Sequence, residues 1–230
     1  LADAGADVSC LRVMDTESGC AFIEVNSKGQ NRIIVSAGTN RMYTEEYIKN
    51  VLEKAEAGDF VLLQNEINMV GEIIRLSHEK GCRVVFNASP IPGKPEELPL
   101  ELVDIFMVNE LEAAALAGTS TEGDFRDILK ALQKKYPKAA IVMTLGKEGV
   151  FYGYKEEFYS HPIFKVNAVD TTAAGDTFCG YFLAALCAEK SVETALREAS
   201  AASAMAVSAK GAAPSIPVHS AVEEWLCGRS

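Results

Sequence analysis

Four apolar runs, separated by stretches of helical periodicity, constrain this chain more than any other feature. They lie within four expected strands, Phe60-Val61-Leu62-Leu63-Gln64, Arg83-Val84-Val85-Phe86-Asn87, Ile105-Phe106-Met107-Val108 and Ala140-Ile141-Val142-Met143-Thr144. A continuous apolar run of that length suits a strand covered on both faces, as in a parallel sheet. Before the first run, Tyr47, Ile48, Val51, Leu52 and Ala55 mark one helix face. Between the first and second, Val70, Ile73, Ile74 and Ser77 mark another, with Gly81 placed to end it. Helices over residues 110–117 and 125–135 separate the third run from the fourth. This alternation predicts a doubly wound α/β fold, a mainly parallel sheet with helices on both faces and right-handed crossovers. Residues 149–154 and 157–162 read as a hairpin. Helices over 176–188, 192–209 and 222–226 follow.

The first 37 residues have a different texture. Three short strands are expected, over residues 8–14, 20–25 and 32–35, with turns at 15–19 and 26–30. Such an antiparallel meander needs a cover for one face. It is expected to act as a lid or as a dimer contact. The division that follows is a β lid over 1–37 and an α/β domain over 38–230.

The chain of 230 residues is 48% hydrophobic and 23% charged, which fits a globular protein with a substantial core. A net charge of −10 excludes a broad nucleic-acid surface. It leaves room for a phosphate held locally by backbone N–H groups. No transmembrane run or signal peptide is visible, so no membrane partner is expected. The six cysteines form no C-x-x-C and no zinc spacing. Reduced thiols and a cytoplasmic location are expected, with Cys10 and Cys20 the one pair a hairpin could join. The chain opens Leu1-Ala2-Asp3 without Met, as a fragment would.

Ligands of an open α/β sheet gather at the carboxyl ends of its strands. Four loops fall there: Gln64-Asn65-Glu66, Asn87-Ala88-Ser89-Pro90, Asn109-Glu110-Leu111-Glu112 and Thr144-Leu145-Gly146-Lys147-Glu148-Gly149. Asn109 and Glu112 fit a helix capping box. Glu112 equally fits a carboxylate that helps hold a hydrated magnesium ion near phosphates. Thr144 and Gly146 form either a simple turn or a surface on which a nucleotide lies close to the backbone. Glu66 is a surface acid or a polyol ligand. No P-loop or G-x-G-x-x-G follows a strand, and His78, His161 and His219 are dispersed.

The stretch Asp170-Thr171-Thr172-Ala173-Ala174-Gly175-Asp176 leads from an extended segment into a helix. Small residues at Ala173, Ala174 and Gly175 let backbone N–H groups point outward, next to the positive end of a helix dipole. That makes an anion site. A carboxylate inside it, Asp176, suits a base that takes a proton from an attacking hydroxyl. The plainer alternative is an Asx-turn at Asp170 and a dipole-complementing acid at Asp176. The loop Gly211-Ala212-Ala213-Pro214-Ser215 could bring carbonyl oxygens toward Asp170 and Thr172, an arrangement suited to a hard cation.

These residues resemble the ribokinase family, also called the PfkB carbohydrate kinases. Residues 170–176 are similar to its signature D-T-x-[GA]-A-G-D, Asn109-x-x-Glu112 to its N-x-x-E, and Thr144-Leu145-Gly146-x-x-Gly149 to its nucleotide loop. Gly38-Thr39-Asn40, Asn87-Ala88-Ser89-Pro90 and residues 210–215 extend the likeness over essentially the whole chain. The resemblance implies ATP-dependent phosphorylation of a sugar's primary hydroxyl, with D-ribose the first expectation. Asp176 would be the base and would touch the sugar, with Glu66 near it. Ala173, Ala174, Gly175 and Asp176 would offer the anion hole. Asn109, Thr144, Gly146, Gly149 and Ser200 would line the ATP site, and Glu112 would hold Mg2+ through water. Asp170, Thr172 and Ser215, with carbonyls of Ala206, Ala209 and Gly211, would hold K+. A homodimer through the β lid is expected.

The family pattern also includes an early strand with a sugar-binding Asp and a G-G-x-x-x-N segment, neither of which is in this sequence. The expectation is therefore an N-terminally incomplete chain with weak sugar binding and exposed apolar sheet surface. Fructose, a keto-deoxy sugar acid or a nucleoside remain alternative acceptors. A non-catalytic nucleotide- or sugar-binding relative is the alternative from another class.

Overall fold

The computed structural model describes residues 1–25 and 31–229. The chain divides into two units, Leu1–Asp104 and Ile105–Ser230.

In the first unit, β1 (Cys20–Val25) and β2 (Asn31–Ser36) pair antiparallel, with Cys20 opposite Ser36. The strand expected over residues 8–14 does not form. The Asp7 side chain instead accepts from the Ser9 N–H at 2.8 Å, and the Leu11 N–H donates to Val8 O at 2.9 Å. These local turns compete with extension, and Val13 stays 88% exposed with nothing to pack on. The three-stranded meander is thus a two-stranded ribbon. The turn expected at 26–30 lies outside the described residues.

Helix α1 (Glu45–Leu52) starts at Thr44, whose hydroxyl accepts from the Tyr47 N–H, and it buries Ile48 and Leu52. Next come β3 (Phe60–Gln64), α2 (Val70–Glu79) and β4 (Arg83–Asn87). β3 and β4 pair in parallel from Phe60 opposite Arg83 to Gln64 opposite Asn87. Helix α2 turns Val70, Ile73, Ile74 and Ser77 inward and packs on both strands and on α1. β3 departs from the sequence expectation of burial on both faces. Leu63 is 7% exposed but Leu62 is 45% exposed, because α2 covers only one side of the strand.

The second unit contains β5 (Ile105–Asn109), α3 (Glu110–Ala117), α4 (Phe125–Lys135), β6 (Ala140–Thr144), β7 (Val150–Tyr154) and β8 (Glu157–His161). β5 and β6 run parallel, and the β7–β8 hairpin continues the sheet antiparallel beyond β6. Helices α5 (Ala174–Cys187), α6 (Val192–Val207) and α7 (His219–Cys227) follow. Neighbouring residues of β5 show that both faces are covered. Phe106 meets the ring of Tyr136 beyond α4 at 4.8 Å, while Met107 Sδ lies 3.1 Å from Cys179 Sγ of α5. Alternation along a strand sends those two side chains to opposite sides. Burial pushes the Cys179 thiol up to about 12, with the Asp176 charge adding to the shift.

The six cysteines are free. Among the described residues, no helix is long and apolar enough to cross a membrane.

Candidate active site

The stretch between β8 and α5 is anchored before it turns. The N–H groups of Val169 and Asp170 both donate to Val207 O at the end of α6, at 2.7 and 3.2 Å. The Asp170 carboxylate then joins two segments. Its Oδ1 accepts from the Thr172 N–H at 3.0 Å and the Thr172 hydroxyl at 2.7 Å, and its Oδ2 accepts from the Gly211 N–H at 3.0 Å. The Thr172 hydroxyl, then the two N–H groups, hold this carboxyl down at about 2. Asp170 therefore makes the Asx-turn that its sequence allows, and it also ties that turn to the loop after α6.

Ala173 follows at φ 59, in the left-handed region, and redirects the chain into α5. That conformation costs a non-glycine residue roughly 1–2 kcal/mol. It starts the helix at Ala174, two residues before the position expected from sequence. The Ala174 N–H donates to Thr171 O at 3.3 Å, and the Thr177 N–H to Ala173 O at 2.9 Å. The Ser203 hydroxyl of α6 donates to Ala174 O at 3.0 Å and pins the first turn. Gly175 and Asp176 lie between, in the first turn of the helix, at its positive end. A side-chain carbon built on Gly175 would meet nothing within 4 Å, so the space over this turn is open. Asp176 is exposed and lines a cleft of about 480 Å³ together with Gly180, Tyr181 and Ala184 of α5, Ile216 and His219. Beside it Thr177 is only 2% exposed, and its hydroxyl has no hydrogen-bond partner among the described residues.

The loop after β6 is built from two left-handed glycines. The Leu145 N–H donates to Gly149 O at 2.8 Å, and the Gly149 N–H to Gly146 O at 3.3 Å. Gly146, at φ 49, faces open space. Gly149, at φ 95, faces the backbone: an added carbon would sit 2.2 Å from His161 O. Gly149 is thus required by the close approach of β8, which its spacing in the sequence does not reveal.

Asn109 and Glu112 form the reciprocal capping box at the start of α3, with both bonds at 2.9 Å. One Glu112 oxygen, Oε2, is committed to the box. At the end of α6, Ala206 O accepts from the Ala209 N–H at 3.1 Å, and the buried Ser215 hydroxyl donates to Ala212 O at 2.7 Å. Ser200 lies half-buried in the middle of α6, three residues before Ser203. Among the described residues, no cluster of three or more His, Cys, Asp or Glu could hold a metal ion. Glu66 belongs to the first unit, exposed in the loop after β3, whereas all the other candidate residues belong to the second. Ser203 is not legible in the sequence, because its contact with Ala174 is distant along the chain, whereas the Gly211 loop does reach Asp170, with the Gly211 N–H rather than the carbonyl expected.

A mainly parallel sheet, a glycine turn after β6, and a helix with Gly175 and Asp176 in its first turn together point to a phosphoryl-transfer enzyme. The family comparison agrees. Residues 1–219 match the family model described as pfkB family carbohydrate kinase, and the chain belongs to that family. Its members are sugar kinases, phosphotransferases with an alcohol acceptor. The chain is 35% identical over 230 residues to a ribokinase of Haemophilus influenzae, covering 98% of this chain and 74% of that protein. Its fold is similar to the crystal structure of a Thermotoga maritima ribokinase, with a TM-score of 0.80, 35% identity and coverage of 93% and 71%. It is also similar to an Arabidopsis thaliana ribokinase complexed with ribose and ATP, with a TM-score of 0.78, 31% identity and coverage of 92% and 70%.

Proposed function

We propose that this chain transfers the γ-phosphoryl group of ATP to the primary hydroxyl of D-ribose, giving ribose 5-phosphate. The observation that carries the reading is the first turn of α5. Asp176 stands there beside the helix-start N–H groups, and Gly175 leaves the approach open. The ribokinase relatives, one of them complexed with ribose and ATP, support this substrate pair.

In this reading Asp176 accepts the proton of the attacking hydroxyl. The N–H groups of Ala173, Gly175 and Asp176 stabilise charge on the transferred group, joined by that of Ala174 where it shares its long 3.3 Å bond to Thr171 O. Phosphoryl transfer asks little more of a protein than positioning and charge stabilisation. A positioned base contributes about 10²–10⁴ in rate and a preorganised N–H donor about 10²–10³. Asn109, Thr144, Gly146, Gly149 and Ser200 line the nucleotide site, and Glu66 binds the sugar.

The donor set fits hard cations. Asp170, held at about 2, is anionic at neutral pH and stands beside the Thr172 hydroxyl, so two oxygen ligands suited to K+ lie together. Ala206, Ala209, Gly211 and Ser215 complete that proposed site. Glu112 keeps a second oxygen beyond the capping box, enough for a water-mediated role toward Mg2+. A bound Mg2+ supplies charge neutralisation at the phosphates.

The 1–37 segment serves as a lid and as the contact with a second copy. On the β1–β2 ribbon Phe22 is 64% exposed, Ile34 56% and Val35 69%, more apolar surface than an isolated ribbon sustains. The 38–230 segment carries nucleotide binding and catalysis, and the protein works in the cytoplasm. Turnover assays with ATP and D-ribose, with and without K+, test the reading. Fructose, a keto-deoxy sugar acid and a nucleoside serve as competing acceptors. Nucleotide binding without any turnover would overturn it in favour of a binding protein.

A further inference from the structure

Glu66 stands exposed at the carboxyl end of β3, between two asparagines that hold its loop from both sides. Asn65 reaches the loop after β4. Its N–H donates to Ser89 O and its side-chain amide to Pro90 O, each at 3.0 Å. Asn68 reaches the segment before α1. Its N–H donates to Asn40 O at 3.0 Å. Its side chain closes a two-way pair with Tyr43, Nδ2 donating to Tyr43 O at 2.8 Å and Oδ1 accepting from the Tyr43 N–H at 3.0 Å. A carboxamide is suited to this role, because it donates and accepts as a peptide group does. Met69 follows in the left-handed region at φ 61, with no side-chain cap for α2. Such a conformation persists only where surrounding bonds over-determine it, and it tends to mark functional sites.

We propose that Asn68, assisted by Asn65, is a positioning residue for the acceptor. It fixes the loop so that the Glu66 carboxylate meets the hydroxyls of a polyol in one pose. The inference rests on Glu66 as the sugar ligand in the proposed function. Asn68 touches no substrate and acts through Glu66. The physical gain is preorganisation: a carboxylate already ordered loses less conformational freedom on binding. The clamp acts on sugar binding and leaves the phosphoryl-transfer step alone.

A double-mutant cycle with Glu66→Gln and Asn68→Ala tests this by steady-state kinetics on the full chain with D-ribose and ATP. Each single change is expected to raise the sugar KM about tenfold, with kcat and the ATP KM within about twofold. The double variant is expected to be no worse than Glu66→Gln alone. Asn68→Asp keeps the acceptor for the Tyr43 N–H and loses the donor, so its KM falls between. A thermal melt checks that Asn68→Asp is folded, and this variant carries the test if Asn68→Ala does not fold. An unchanged sugar KM in the folded Asn68 variants, or penalties that multiply in the double variant, overturns the inference while the kinase reading stands. A sugar KM unchanged by Glu66→Gln removes the ligand itself and overturns both the inference and Glu66's part in the proposed function.

Discussion

Gly175 serves stability and chemistry in opposite directions, and one substitution separates them. It lies in the first turn of α5, where an added methyl group meets nothing within 4 Å. Gly175→Ala should therefore leave the fold intact and raise its stability by about 0.5 kcal/mol, the ordinary gain of alanine over glycine in a helix. The same methyl group would stand where a transferred phosphoryl group must approach the backbone, so kcat should fall about 10²-fold or more. Chemical denaturation and turnover measured on one preparation check both signs. The residues of this turn were legible in sequence because small residues between two acids are a local pattern. The clamp of Asn68 on Tyr43 was not, since the partners lie 25 positions apart and neither residue type announces the pairing.

The loop between β8 and α5, the end of α6 and the Gly211 turn are tied together by the Asp170 carboxylate. Its folded value of about 2 lies below its ordinary 3.8, so the folded state favours the ionised form. The contribution is full above about 3.8 and is lost as pH falls through about 2. Asp170→Asn should be less stable than the parent at neutral pH, and that gap should close as the pH drops through this window. Urea unfolding of both proteins across the acid range measures it; a gap independent of pH contradicts it. At this scale the strands over Phe60–Gln64, Arg83–Asn87 and Ala140–Thr144 were readable to the residue, because apolar runs bounded by Gly and polar residues leave little choice. The strand expected over residues 8–14 was misread because alternation alone does not supply a partner. The Asp7 turn took over instead. The early start of α5 depends on a left-handed Ala173, which propensity disfavours and only the tertiary anchors at Val207 and Ser203 explain.

At the scale of the whole molecule, family membership and the two-stranded ribbon make separate claims. If the ribbon's exposed Phe22 and Ile34, which pair on one face, meet a second copy, sedimentation should report a dimer, and Ile34→Asp should convert it to a monomer. A monomer at all concentrations contradicts that arrangement without touching the chemistry. The fold class was open to inference because alternating strands and helices admit few topologies. The acceptor was not, because the residues that choose a sugar are spread over loops whose geometry no local pattern sets. The proposed chemistry turns on Asp176 as the base of a sugar kinase. Its most direct test is ADP release driven by D-ribose at saturating ATP in K+ buffer, compared between the parent and Asp176→Asn. Ribose-dependent release is expected in the parent, and a loss of about 10²–10⁴ in kcat in the variant, with nucleotide affinity retained. Turnover that ignores ribose, or that survives Asp176→Asn, would contradict it.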